Sequence, residues 1–213
     1  MKKEIVHDLR KEYKQAQLNI ENVAEKPMEQ FSFWFNEARS AEILEPNAFV
    51  LSTANHHIPY ARTVLVKEIE EDGFIFYTNY NSEKGQQINK NNHVAANFTW
   101  LDLERQIRFT GTCHKVSAKQ SDNYFQNRPR NSQIGAWASK QSEILKNREA
   151  LENQWNFYTK KFENQNIPRP AFWGGYKIIP NTVEFWQGRQ NRLHDRILYQ
   201  KNDSKWSISR ISP

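Results

Sequence analysis

Near the C-terminal end two arginines flank a histidine, in Arg192-Leu193-His194-Asp195-Arg196. On an extended strand alternate side chains share a face, so Arg192, His194 and Arg196 would point one way and Leu193 and Asp195 the other. That makes a concentrated cationic face. A solvated surface strand carries the same pattern, and these residues alone leave both readings open. Other chemistries are excluded more firmly. Only 7 glycines are present, and neither G-x-G-x-x-G nor G-x-x-x-x-G-K-[ST] occurs, which argues against a dinucleotide Rossmann site or a P-loop. The single cysteine, Cys113, forbids an intramolecular disulfide and a Cys/His zinc cluster, so no metal site is expected. The net charge of +6 favours phosphate-bearing partners. No run of five or more Lys/Arg marks a nucleic-acid arm.

The elements that must hold such residues change period along the chain. Residues 4–18 read as a short charged helix with apolar positions at Ile5, Leu9, Tyr13 and Ala16. Residues 28–41 read as an amphipathic helix with Pro27 near its start and Phe31, Trp34, Phe35 and Ala38 at helical spacing. Strands are expected at 47–54, 59–68, 73–79, 93–100 and 104–116, with a hairpin turn at Glu71-Asp72-Gly73. Helices are expected at 83–91, 118–127 and 143–164, the second stopping before Arg128-Pro129. Further strands are expected at 173–179, 182–187 and 195–210, the last broken at Asn202-Asp203. A strand meander with helices between and at the ends predicts an α+β fold, mainly antiparallel, as a sheet or barrel. The organisation expected is a flexible N-terminal helical segment, 1–20, and one domain, 21–213. Met1 to Arg10 is charged and lacks an apolar core, and the apolar runs are too short to span a bilayer. No signal peptide, no membrane association and a cytoplasmic location are therefore expected.

The stretch Val183-Glu184-Phe185-Trp186-Gln187, a gap of four, then Arg192-Leu193-His194-Asp195-Arg196, matches the C-terminal pattern of the pyridoxine/pyridoxamine 5'-phosphate oxidases. That pattern reads E-F/W-W-Q, four residues, R-L-H-D-R. The likeness extends to Arg62-Thr63-Val64-Leu65-Val66-Lys67, Phe76-Tyr77-Thr78-Asn79, Leu103-Glu104-Arg105-Gln106 and Arg128-Pro129-Arg130-Asn131-Ser132-Gln133-Ile134-Gly135-Ala136-Trp137. It includes Ser139-Lys140-Gln141-Ser142 and Phe172-Trp173-Gly174-Gly175, and so covers the chain from about Leu9 to its end. The chain thus resembles this family. The resemblance implies an FMN-binding split β-barrel of Greek-key type with surrounding helices. It also implies a homodimer with two sites at the subunit interface.

On matching positions, Arg62, Thr63, Val64, Leu65 and Lys67 resemble FMN-binding residues, with Lys67 also near the substrate phosphate. Positions five apart lie on opposite faces of a regular strand, so a bulge or strand end must intervene if Arg62 and Lys67 serve one site. Tyr77, Thr78, Gln106, Gln141, Ser142, Trp186 and Arg196 resemble further FMN contacts. So does Lys84, which follows Ser82 at an expected helix start, where free N–H groups and a cation suit the FMN phosphate. Tyr124, Arg128 and Ser132, with Lys67, resemble the clamp on the substrate's 5'-phosphate; Tyr124 and Arg128 are four apart and would share a helix face. Arg192 and His194 resemble the pair beside the pyridine ring and reacting carbon. Arg10 and Tyr13 resemble an N-terminal segment that closes over the substrate. Two positions depart from the family. Glu83 stands where an arginine is usual, so it must point away or weaken FMN binding. Asn131 replaces an acidic residue in a turn, where it can still accept a hydrogen bond.

The reaction implied by the resemblance is oxidation of pyridoxamine or pyridoxine 5'-phosphate at C4' to pyridoxal 5'-phosphate. A hydride passes to FMN, and O2 is reduced to H2O2. A split-barrel flavin reductase or non-catalytic binder would have no need of Tyr124, Arg128, Ser132, Arg192 and His194 together. A basic nucleic-acid-binding barrel would be colourless and would bind in a salt-sensitive way.

Overall fold

The computed structural model describes residues 12–213. Nine strands follow one another as β1 (Ala48–Asn55), β2 (Ile58–Leu65), β3 (Glu68–Glu70), β4 (Gly73–Asn79), β5 (His93–Trp100), β6 (Arg105–Lys115), β7 (Trp173–Gln187), β8 (Asp195–Asn202) and β9 (Lys205–Arg210). The helices are α1 (Pro27–Ser40), α2 (Glu83–Lys90), α3 (Ala118–Gln126), α4 (Arg130–Ala138) and α5 (Arg148–Lys161). The sheet order is β2-β1-β5-β6-β7-β4-β3, with β8 pairing with β7 and β9. The hairpins β1–β2, β3–β4 and β8–β9 and the pairs β4–β7 and β7–β8 are antiparallel. The described chain divides into two compact units. A terminal unit holds the chain up to Pro46, Asn97–Phe109 and Asn181–Pro213; a central unit holds Asn47–Ala96 and Thr110–Pro180.

In the terminal unit α1 starts with Pro27 at its first turn, where a missing N–H costs nothing. Helical spacing then buries Phe31, Trp34 and Ala38. Phe31 meets Phe98 and Phe109 with ring centroids 5.0 and 5.3 Å apart, and Trp34 stands edge-on to Phe185 at 5.2 Å. Each such ring removes enough apolar surface from water to contribute about 1.5–3 kcal/mol. Residues 12–19 do not form the expected helix. Their N–H groups go elsewhere: Lys14 and Gln15 donate to the Glu104 carboxylate at 2.8 and 3.1 Å, and Leu18 to Asp195 at 3.1 Å. Residues 4–11 of that expected helix lie outside the described residues.

In the central unit the aromatic core gathers Phe49, Phe74, Phe76 and Tyr176. The strand expected at 59–68 is interrupted: β2 stops at Leu65, and the short β3 makes the hairpin with β4, pairing Glu70 with Gly73. The two strands expected at 173–179 and 182–187 are one, because β7 continues through Pro180. Gly111 lies against that point, where a Cβ would sit 2.1 Å from the Ile179 carbonyl oxygen and 2.8 Å from Pro180 Cα. A further helix, α4, follows Pro129. The helix expected over 143–164 begins only at Arg148, where the Asn147 side chain accepts the Ala150 N–H at 2.9 Å. Phe125, Ile134, Phe162, Ile167 and Trp173 pack α3, α4 and α5 together. Among the described residues no helix is long and apolar enough to cross a membrane.

Candidate active site

Two cavities of the central unit gather most of the expected site residues. The first, of about 440 Å³, is lined by Arg62, Thr63, Val64, Leu65 and Lys67 from β2 and its end, and Tyr77 and Thr78 from β4. Glu83 and Lys84 from α2, and the loop residues Gln141 and Ser142, complete it. The end of β2 at Leu65 supplies the required irregularity. Val66 turns into the core, 4% exposed, and the Lys67 N–H donates to Ile75 at 2.8 Å. Arg62 and Lys67 thereby reach one cavity.

Arg62 is fixed from behind. Its guanidinium donates to the Leu51 carbonyl at 3.2 Å, to Thr53 Oγ1 at 2.6 Å and to Gln87 Oε1 at 2.9 Å. Ser82 caps α2, accepting the Gly85 N–H at 3.3 Å, and Lys84 sits in that first turn, 8% exposed. Lys84 Nζ lies 3.3 Å from Thr78 Oγ1 and 3.5 Å from Ser82 Oγ. Both cations thus rest on neutral oxygens in a desolvated place. Burial lowers the pKa of each, Arg62 lowers that of Lys84 further, and the Glu83 carboxylate opposes the shift in both. Buried cations beside the free N–H groups of a helix start fit a phosphate group. Glu83 does not point away from this place. It lines the cavity, the only acidic side chain among the described residues to do so.

The second cavity, about 370 Å³, shares Tyr77, Thr78 and Gln141 with the first and adds Arg128, Ser132 and Trp173. Tyr124 and Arg128 do not share a helix face, since α3 ends at Gln126 and Arg128 lies in the turn before Pro129. The turn is held by Gln133, whose amide donates to the Phe125 and Gln126 carbonyls at 2.8 and 3.2 Å. Arg128 stacks over Trp173 at 4.5 Å, and its Nη1 is buried with no hydrogen-bond partner among the described residues. Such a group calls for an acceptor. Tyr124 stacks on Tyr77, centroids 3.8 Å apart and planes within 10°.

The remaining site residues lie in the terminal unit. Tyr13 meets Trp186 edge-on at 5.7 Å and His194 at 5.8 Å, and Trp186 and His194 are 4.6 Å apart. Only glycine fits at 188, where a Cβ would lie 2.7 Å from Tyr13 Cγ. Arg192, His194 and Arg196 do not share a strand face. Gln190–Arg192 is a 3-10 turn with Asn191 and Arg192 at positive φ, and β8 starts only at Asp195. Arg192 is exposed, while Arg196 pairs with Glu184 at 2.8 Å. The Arg189 N–H donates to His194 Nδ1 at 3.1 Å, which leaves Nε2 to carry the proton of the neutral ring. Burial, then Arg192, lowers the His194 pKa. Gln106 is half-buried on β6. Arg10 lies outside the described residues. Sequence reasoning gave Trp173, Asn79 and Ser139 no role, though each stands inside a matched motif and lines the second cavity.

This architecture is a split barrel of the kind found in FMN-binding proteins of the oxidase class. PhzG from Burkholderia lata, solved with tetrahydrophenazine-1-carboxylic acid, superposes with a TM-score of 0.86 at 26% identity, covering 91% of this chain and 95% of that one. A pyridoxamine 5'-phosphate oxidase-related, FMN binding protein from Nostoc punctiforme gives 0.71 at 18% identity, covering 90% of this chain and 100% of its own. Residues 35–155 match the pyridoxamine 5'-phosphate oxidase family model, and 173–213 the pyridoxine 5'-phosphate oxidase C-terminal dimerisation region. Pyridoxine/pyridoxamine 5'-phosphate oxidases of Trichormus variabilis and Nostoc sp. PCC 7120 are 49% and 50% identical, each over 98% of both chains. The chain belongs to the pyridoxine/pyridoxamine 5'-phosphate oxidase family.

Proposed function

We propose that this protein oxidises pyridoxamine 5'-phosphate and pyridoxine 5'-phosphate to pyridoxal 5'-phosphate, with FMN as cofactor, in centres at the interface of a homodimer. The observation that carries the reading is the buried Arg128 Nη1, without a hydrogen-bond partner among the described residues, in a cavity that adjoins a second, cation-lined one. Two adjoining cavities that each call for an anion suit a flavin phosphate and a phosphorylated substrate. When bound, FMN supplies a two-electron acceptor for the C4' hydride, with O2 as the final acceptor, reduced to H2O2.

Arg62, Lys84 and the first turn of α2 hold the FMN phosphate; Thr63, Val64, Leu65, Tyr77, Thr78, Gln141 and Ser142 line its bed. Gln106, Trp186 and Arg196 contact the flavin. Arg128, Ser132, Tyr124 and Lys67 hold the substrate phosphate, and this remote binding energy fixes the position of C4'. Arg192 orients the ring and stabilises charge as the hydride leaves. His194, neutral at Nδ1, donates from Nε2 to the substrate. Tyr13 covers it and excludes water. The alcohol goes directly to the aldehyde; the amine gives an imine, which water hydrolyses to aldehyde and ammonia.

The purified, FMN-loaded protein assayed with each vitamer under air should form aldehyde and peroxide in equal amounts. Arg192→Ala should cut kcat at least about a hundredfold. Arg128→Lys, which keeps charge but loses the fork, should raise KM about tenfold or more. A yellow protein that binds both vitamers but makes neither product would contradict the proposal.

A further inference from the structure

Tyr77 lines both cavities, and its hydroxyl donates at 2.5 Å to Oε1 of Glu68, a residue that lines neither. The other oxygen, Oε2, accepts from the Gln120 amide at 2.8 Å. Gln120 is four residues before Tyr124 on α3, so the two share a face, and Tyr124 is the residue stacked on Tyr77. Gln120 also reaches Glu70 at 3.2 Å, and Glu70 pairs with Lys177 at 2.6 Å. A carboxylate at position 68 therefore bridges β4 and α3 at the place where their two tyrosines stack.

We infer that Glu68 is a positioning residue for both cavities: it ties the Tyr77 hydroxyl to the Gln120 amide and so sets the ring that stands between the two ligands. The inference rests on the proposed function for the identity of those ligands. A phenol ring without this anchor keeps its rotation about Cβ–Cγ and its tilt on the Tyr124 ring. A hydrogen bond to a charged acceptor is the stronger kind and fixes one arrangement. Glu68 also favours the protonated, donating form of Tyr124, alongside the larger effect of burial.

The test is a double-mutant cycle on ligand affinity, read without turnover. FMN is titrated by flavin fluorescence, and pyridoxal 5'-phosphate by absorbance, into wild type, Glu68→Ala, Glu68→Gln, Tyr77→Phe and the double variants. Glu68→Ala and Tyr77→Phe should each weaken FMN roughly tenfold. The double variant should be no weaker than the worse single, because both remove one interaction. Glu68→Gln, which keeps an accepting oxygen, should recover most of the affinity. Thermal melts establish that each variant is folded; if Glu68→Ala is not, Glu68→Met, which keeps the length of the side chain but not its accepting oxygens, replaces it in the cycle and in the outcomes below. Additive losses, or wild-type affinity for both ligands in a folded Glu68→Ala, would overturn the inference. Coupled losses in a protein that oxidises neither vitamer would sink the proposed function and leave Glu68 its role. Absence of FMN binding by wild type would overturn both.

Discussion

Glu83 lines a cavity whose other charged lining residues are Arg62, Lys67 and Lys84. A phosphate placed there meets three cations and one carboxylate. Because Glu83 is exposed, water and salt screen its repulsion, and its cost is modest. Glu83→Arg should tighten FMN roughly threefold to tenfold at low ionic strength, and the gain should shrink in high salt. Titration of FMN into both proteins at two salt concentrations measures this. An unchanged affinity at low salt would mean that the carboxylate does not face the phosphate. The lysine beside it answers differently. Lys84 is buried against Thr78 and Ser82, so its charge is less screened and its removal should cost more than Glu83 does.

At the scale of elements, Asp195 joins pieces of the terminal unit. It accepts the Leu18 N–H, and its carboxylate pairs with Arg189 at 2.9 Å and Arg210 at 2.6 Å. Burial pushes its pKa up, but these hydrogen bonds outweigh burial and hold the carboxyl below its ordinary 3.8. A carboxyl lowered on folding stabilises fully above the unfolded value and loses that contribution as pH falls through the folded one. Asp195→Asn should therefore cost about 1–3 kcal/mol at neutral pH, and the gap should close as pH falls below about 4. Urea unfolding of both proteins across that range tests it; a gap that persists in acid would assign the loss to packing. The same residue marks the limit of what sequence patterns reveal. The alternating charge over 192–196 left a shared strand face open for Arg192, His194 and Arg196, but Asn191 and Arg192 take positive φ and pairing begins at Asp195, where the last strand was expected to start. The apolar period located α1 and the strands well, because burial on one face enforces that period. It did not locate α4, where a proline ends one helix and starts the next and the stabilising contact is the Gln133 amide. Nor did it foresee residues 12–19, whose N–H groups are satisfied by Glu104 and Asp195, distant in sequence. Of the residues matched in short motifs, those of the central unit such as Arg62, Lys67, Lys84, Arg128 and Gln141 line two cavities, while Gln106, Trp186, Arg192, His194 and Arg196 lie in the terminal unit. Glu68 carried no such mark, since its role depends on a contact with α3.

For the whole molecule, the expected site residues fall into two sets: Lys67, Lys84 and Arg128 in the central unit, and Arg192, His194 and Arg196 in the terminal one. A net charge of +6 suits the phosphate-bearing ligands of the proposed function. The family match over 173–213 is to a dimerisation region. In a two-fold dimer each interface residue occurs twice, so a centre at the interface can draw its two sets from different protomers. That arrangement has a consequence no single-chain centre shares. Arg128→Ala and Arg192→Ala should each be nearly inactive alone. Mixed by co-expression, half the dimers would pair one variant with the other, and each such dimer would hold one centre with both arginines and one with neither. Activity should then return to roughly a quarter of wild type. Differently tagged subunits allow the mixed dimer to be purified, where the expected recovery is about half. If mixing restores nothing in a mixed dimer that still binds FMN, both arginines of a centre come from one protomer.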